Sequence, residues 1–195
     1  MESESPNVVI LGGPNGAGKS TISKKLFPGA LKIEHYVNAD EIAHGLSAFR
    51  SEEMAIKAGK IMLEHLHELG KSKVSFGFET TLAGRTFGPW IDELRRSGYV
   101  FHLFFLWLPS ADMAVDRVRD RVRRGGHDVP EETIRRRYQR GIQNFFQLYQ
   151  PLADFWKFFD NTKPKKPKQI AEGNDRIEKV RDAVLWKTVR EGNAP

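Results

Sequence analysis

Gly13-Pro14-Asn15-Gly16-Ala17-Gly18-Lys19-Ser20, with Thr21 behind it, fits the spacing G-x-x-x-x-G-K-[ST]. Glycines in such a run let backbone N–H groups turn inward and form a concave cradle for an anion. A helix opening at Lys19 adds the positive end of its dipole at the same point. Lys19 is placed to reach the terminal phosphates of a nucleotide, and the Ser20 hydroxyl to ligate magnesium. No N-K-x-D or D-x-x-G segment occurs, which excludes a guanine-nucleotide switch. No L-S-G-G-Q segment and no apolar strand ending in Asp-Glu occurs, which excludes an ABC-type ATPase.

A small-molecule phosphotransferase needs less. Beside the loop it needs a carboxylate near the acceptor hydroxyl, a surface for the acceptor, and arginines that close over the transferred group. Asp40, in Val37-Asn38-Ala39-Asp40-Glu41, is the candidate carboxylate. With an ordinary pKa of about 3.9 it cannot strip an alcohol before attack. Phosphoryl transfer is largely dissociative, so it need only orient the hydroxyl and take its proton late. The same position equally suits a helix N-cap. Asn38 and Glu41 are near enough to share the site.

Glu79-Thr80-Thr81 ends an apolar stretch, with Glu79 and Thr81 on one strand face. A carboxylate and a hydroxyl suit sugar hydroxyls and amides. Alternatively Glu79 supports magnesium through water, or the group is a polar strand end tied to a lysine. Arg85 is placed to grip an acceptor phosphate. Nine arginines lie between Arg117 and Arg140. Successive helical residues turn about 100°, so Arg117, Arg121 and Arg124 share a stripe. A solvated helix with Asp116 and Asp120 as local partners is the structural alternative. His127 lies in a glycine-rich break, and no second metal ligand stands at suitable spacing.

These groups need elements to position them. An apolar strand over Asn7–Leu11 leads into the loop, and a helix runs from Lys19 to about Phe27, where Pro28-Gly29 stops it. A second strand is expected to end at Asp40, with helices over 40–46 and 51–69. A third strand closes at Glu79-Thr80-Thr81, and a helix spans 87–96. The fourth strand, within Tyr99–Leu108, is continuously apolar, as a strand covered on both faces should be. Helices follow over 111–124 and from Pro130 to about Tyr149. A fifth strand lies within Asp154–Thr162, then a solvated loop over 163–168 and a last helix over 175–189. The aromatic run 144–159 reads as core, and Asn161 and Thr162 either touch an adenine or form a turn.

Strands alternating with helices imply a three-layer α/β fold of the P-loop NTPase or kinase kind. It has a parallel sheet of about five strands, helices on both faces, and ligands at the carboxyl ends of the strands. One domain is expected over 1–195, with 1–6 a frayed tail and about 117–140 an arginine-rich lid. The 195 residues carry a net charge of +6 and no cysteine, so a disulfide framework, a thiolate zinc site and a catalytic thiol are excluded. The mean hydropathy is −0.50, and no apolar run approaches the roughly 18 residues of a membrane span. The acidic, polar first residues do not read as a secretory signal, and a cytoplasmic protein is expected. The basic balance suits anionic nucleotides as well as nucleic acid, and no RNA-reading motif supports the latter.

GPNGAGKST, VNADEIA, FETTLAGR and RVRRGGHDVPEETIRRRY, in this order and spacing, resemble short members of the zeta-toxin family of P-loop kinases. The resemblance covers roughly Val8 to Tyr138. It implies ATP and Mg2+ as cofactors and a hydroxyl of a sugar nucleotide, UDP-N-acetylglucosamine or similar, as acceptor. It makes Asp40 the catalytic base and gives Glu79 and Thr81 the acceptor. Arg121 matches the first lid arginine, with Arg124, Arg136 or Arg137 as the second. Ala83 and His127 stand where larger members carry arginines. A protein antitoxin that occludes the ATP cleft is implied by analogy. Two other readings stay open: a metabolite kinase with a different acceptor and no toxin role, and a nucleotide- or RNA-binding module.

Overall fold

The structure is a computed structural model that describes residues 5–31, 33–46, 52–164 and 166–192. Most of the expected tail, residues 1–4, lies outside the described residues, as do Ser51, where a helix was expected to begin, and Lys165 of the expected loop.

β1 (Asn7–Gly12) decides the layering. Its Val8 and Ile10 enter one apolar cluster and its Val9 and Leu11 another, because successive side chains leave opposite faces of a strand. β3 (Phe76–Thr80) and β4 (Val100–Trp107) flank it in parallel, with Gly12 level with Thr80 on one side and Phe105 on the other. β2 (His35–Val37) pairs with β3, and β5 (Phe155–Asp160) with β4, also in parallel.

Helices cover both faces. α3 (Glu52–Lys71), α4 (Phe87–Arg96) and α8 (Ala183–Arg190) send Leu66, Ile91 and Trp186 into the Val8 cluster. α5 (Ala111–Arg123) and α6 (Glu131–Asn144) send Val118 and Ile134 into the Val9 cluster. A π-helical turn, Phe145–Tyr149, and the short α7 (Gln150–Leu152) continue α6 and bury Phe145 and Tyr149 against β4 and β5. Most of the aromatic run is core, as expected, though Phe155 is half exposed.

The expected parallel sheet is present, and it is larger by two strands. β6 (Lys168–Gly173) and β7 (Glu178–Val180) extend it antiparallel, giving the order β2-β3-β1-β4-β5-β6-β7. β7 occupies part of the segment expected as helix. α8 starts only at Ala183, where Asp182 accepts the Leu185 N–H at 3.2 Å. Other boundaries differ as well. α1 (Lys19–Lys25) passes into a π-helical turn over Leu26–Ala30 that includes Pro28-Gly29, held by Leu31 N–H on the Leu26 carbonyl at 3.1 Å. β2 stops at Val37 instead of reaching Asp40, because α2 (Ala39–Leu46) has already begun there.

Candidate active site

The carboxyl ends of β1, β2, β3 and β5 open into one cleft of about 1080 Å³. From the phosphate loop, Asn15, Gly16, Gly18, Lys19, Ser20 and Thr21 line it, and Gly13, Pro14 and Ala17 do not. Gly13 has φ +144, and a Cβ there would lie 2.4 Å from the Leu106 carbonyl, so only glycine lets the loop leave β1 against β4. Lys19 Nζ donates to the carbonyls of Gly13 at 2.8 Å and Pro14 at 3.0 Å. Burial lowers the Lys19 pKa. Glu79 and Asp40 oppose that shift, and Arg121 and Arg137 add to it. These side chains share one electrostatic field.

Asp40 is exposed at the cleft wall. The N-cap of α2 is Asn38, whose Oδ1 accepts the Asp40 backbone N–H at 2.8 Å. Asp40 therefore stands in the first turn with its carboxylate on the cleft, and the capping alternative for it falls away. Asn38 Nδ2 donates to Glu79 Oε1 at 2.6 Å, and Ser20 Oγ donates to the same oxygen at 2.5 Å. Glu79 is 8% exposed, and its Oε2 has no hydrogen-bond partner among the described residues. Burial beside Glu79 pushes the Tyr36 phenol well above its usual range. A buried, half-satisfied carboxylate next to Ser20 fits a cation or its water ligand. No cluster of three acidic, His or Cys side chains among the described residues could hold a metal by itself. A cation here would take most of its ligands from phosphate and water, as magnesium does.

Thr80 and Thr81 line the cleft, but the strand ends at Thr80 and Thr81 sits in the following turn. Their hydroxyls accept the N–H groups of Leu82 at 3.3 Å and Ala83 at 3.4 Å. Leu82 is fully buried with φ +57, a left-handed conformation uncommon outside glycine. Asn144 and Tyr149 latch this turn: Asn144 Nδ2 donates to the carbonyls of Leu82 at 2.8 Å and Ala83 at 3.2 Å, and the Tyr149 hydroxyl to that of Gly84 at 2.7 Å. Gly141 permits the approach of α6, since a Cβ there would lie 2.4 Å from the Thr81 carbonyl. Arg85 is exposed and outside the cleft lining. It donates to Asn144 Oδ1 at 3.4 Å, so the structure does not bring it to the acceptor side.

The arginine stripe divides as its spacing required. Arg117, Arg121 and Arg124 line the cleft, whereas Arg119 pairs with Glu131 at 2.7 Å and Arg123 with Asp120 at 2.8 Å. Arg117 donates to the Thr162 carbonyl at 2.7 Å. Arg121 has buried Nε and Nη2 atoms with no hydrogen-bond partner among the described residues. α5 ends in a Schellman turn, Gly126 N–H on the Arg121 carbonyl at 2.9 Å and Gly125 N–H on that of Val122 at 2.8 Å. Of the other lid candidates, Arg137 is half-buried in the cleft, its pKa lowered by burial and by Arg136 against the pull of Asp40. Arg136 does not line the cleft and approaches Thr133 Oγ1 at 3.5 Å. His127 lines the cleft as well.

Asn144 is a residue that sequence reasoning missed, its only signal a polar side chain opening an aromatic run. Asn161 was only half read. It is 2% exposed, donates to the Ala17 carbonyl at 2.7 Å, and carries an Oδ1 with no hydrogen-bond partner among the described residues. Thr162 makes the turn contact, its N–H on Asp160 Oδ1 at 2.7 Å.

Fold and loop together define the class, a P-loop protein with a kinase-like architecture. The zeta toxin family model matches residues 1–153, and the chain belongs to that family. A Haemophilus influenzae protein of uncharacterized role is 27% identical over 126 residues, covering 65% of this chain and 88% of its own length. Among solved structures, the AvrRxo1-ORF1:-ORF2 complex with ATP superposes with a TM-score of 0.76 at 16% identity, over 95% of this chain. This chain spans only 63% of that protein's length. The PezAT toxin-antitoxin system of Streptococcus pneumoniae gives a TM-score of 0.64 at 15% identity, over 96% of this chain and 79% of its own. Identities this low speak to the fold alone.

Proposed function

We propose that this protein transfers the γ-phosphoryl group of ATP to a hydroxyl of a small molecule, with a sugar nucleotide such as UDP-N-acetylglucosamine as the first candidate acceptor. One observation carries the reading. Asp40, released from capping by Asn38, faces the same cleft as Lys19 and Ser20 and shares their electrostatic field. The loop amides and Lys19 would hold the triphosphate. The acceptor oxygen forms a bond to phosphorus while its proton passes to the Asp40 carboxylate. The bond from phosphorus to the bridging oxygen breaks with its electron pair, and ADP leaves. Arg121, with Arg137 and Arg124 on the same cleft, would neutralise charge on the group in transit; such arginines are worth about 10³–10⁵ in rate in related enzymes. Ser20 and, through water, Glu79 would hold magnesium, which supplies charge neutralisation on the phosphates.

The family assignment and the AvrRxo1-ORF1:-ORF2 complex with ATP support a nucleotide substrate. A protein partner that covers the cleft belongs to the same reading, since PezAT is a toxin-antitoxin system. The place of Arg85, bonded to Asn144 away from the cleft, favours a second reading in which the acceptor is a metabolite without a phosphate at that point. Labelled ATP offered with a panel of nucleotide sugars and simple polyols decides between them. Lys19→Ala and Asp40→Ala are each expected to reduce transfer by at least about 10²-fold. Full activity in Asp40→Ala would remove that residue from the chemistry.

A further inference from the structure

Asn38 is 5% exposed and uses both ends of its amide. Nδ2 donates to Glu79 Oε1 at 2.6 Å and more weakly to the Tyr36 hydroxyl at 3.4 Å, while Oδ1 accepts the Asp40 N–H at 2.8 Å. The amide cannot be turned over, because a carboxylate only accepts and a backbone N–H only donates. Ser20 Oγ donates to that same Glu79 oxygen at 2.5 Å, which leaves Oε2 as the one without a partner. A continuous line of hydrogen bonds thus joins Ser20 of the phosphate loop to the peptide N–H of Asp40. The link spans 59 residues between Ser20 and Glu79 and 41 between Asn38 and Glu79, so no local chain geometry maintains it.

We propose that Asn38 is a positioning residue that fixes Asp40 relative to Ser20 and, by occupying Glu79 Oε1, reserves Oε2 for a cation or its water. The proposal rests on the phosphotransfer reading above and goes beyond it by giving Asn38 a task other than capping. Among small polar residues, serine caps a helix about as well as asparagine. Its side chain is too short to reach Glu79 while it caps. Asn38→Ser therefore keeps the cap and cuts the link, whereas Asn38→Ala removes both.

The experiment uses the full chain. Steady-state transfer is measured for the parent, Asn38→Ser and Asn38→Ala, with thermal melts of each. Calorimetry measures the Mg2+ dependence of binding a non-hydrolysable ATP analogue. Removal of a residue that orients a ligand from behind typically costs about 10–100-fold. The expected result is a kcat loss of that size in Asn38→Ser, with KM for ATP within about threefold of the parent. The Mg2+ concentration for half-maximal analogue binding should rise by about tenfold, and the melting temperature of Asn38→Ser should fall less than that of Asn38→Ala, which also loses the cap. Combining Asn38→Ser with Glu79→Gln should add little to either single loss, because one acts through the other. Parent-like kcat and Mg2+ dependence in Asn38→Ser would overturn the proposal, whatever Asn38→Ala does, since capping alone would then explain the residue. If the parent transfers phosphate to no acceptor, the phosphotransfer reading fails, and the Mg2+ calorimetry still decides the link to Glu79.

Discussion

Asp154 lies outside the cleft and carries part of the molecule's acid sensitivity. Arg95 holds it through Nη2 at 2.7 Å and Nε at 3.2 Å, and the Phe101 N–H donates to it at 2.8 Å. Burial by itself would raise its pKa; these donors outweigh burial and hold the carboxyl below its usual range. A carboxyl whose folded pKa lies below its unfolded value near 3.9 contributes stability above that value and loses it as pH falls through the folded pKa. Asp154→Asn is expected to cost about 1–2 kcal/mol at pH 7. It should cost progressively less below about pH 4, which urea unfolding across that range would show. An equal cost at every pH would mean that packing, not charge, is what Asp154 supplies. At this scale the loop and the arginine stripe were legible because both depend on spacing within one segment. The role of Asp40 was not, since base and cap call for the same residue type at the same place. The Asp40 N–H on Asn38 Oδ1 gives the cap to Asn38, and the further pairing of Asn38 with Glu79, 41 residues away, leaves no local mark.

α6 shows how one element supports the site without supplying much of its chemistry. Its Asn144 and the Tyr149 that follows satisfy three carbonyls of the turn after β3, and Gly141 lets the helix approach closely enough for this. Asn144→Ala leaves two carbonyls without their donor, a loss of about 1–3 kcal/mol. It also frees the wall that carries Thr80 and Thr81. The acceptor KM is expected to rise severalfold while the ATP KM stays unchanged; a rise in the ATP KM alone would place the turn on the wrong side of the cleft. Helices with apolar stripes and the long apolar β4 were readable from periodicity. β6 and β7 were not: Lys168–Gly173 is half polar and Glu178–Val180 is exposed throughout, so neither shows the alternation of a half-buried strand. They are strands because β5 offers an edge to β6 and β6 offers one to β7, which is tertiary context overriding local preference.

For the whole molecule, the alternation of strands and helices was enough to reach the parallel sheet and the edge at which the cleft opens. The antiparallel continuation pairs neighbouring segments of weak local pattern, and β5, the parallel strand it builds on, matters for the cleft. The family match ends at residue 153, two residues before β5 begins. β5 shields the outer side of β4, and the residues just beyond it supply the Asn161 bond to the phosphate loop and the Thr162 carbonyl that holds Arg117. A piece of the gene cut where the homology stops would strip the most greasy strand of its neighbour and leave its amides free to zip onto another copy. Such a piece should elute as aggregate on a sizing column and give no heat with ATP, whereas the full chain is expected to give both a defined peak and a binding isotherm. The stretch that family resemblance leaves out is thus part of the machine, and anyone trimming this protein for crystals or screens should keep it.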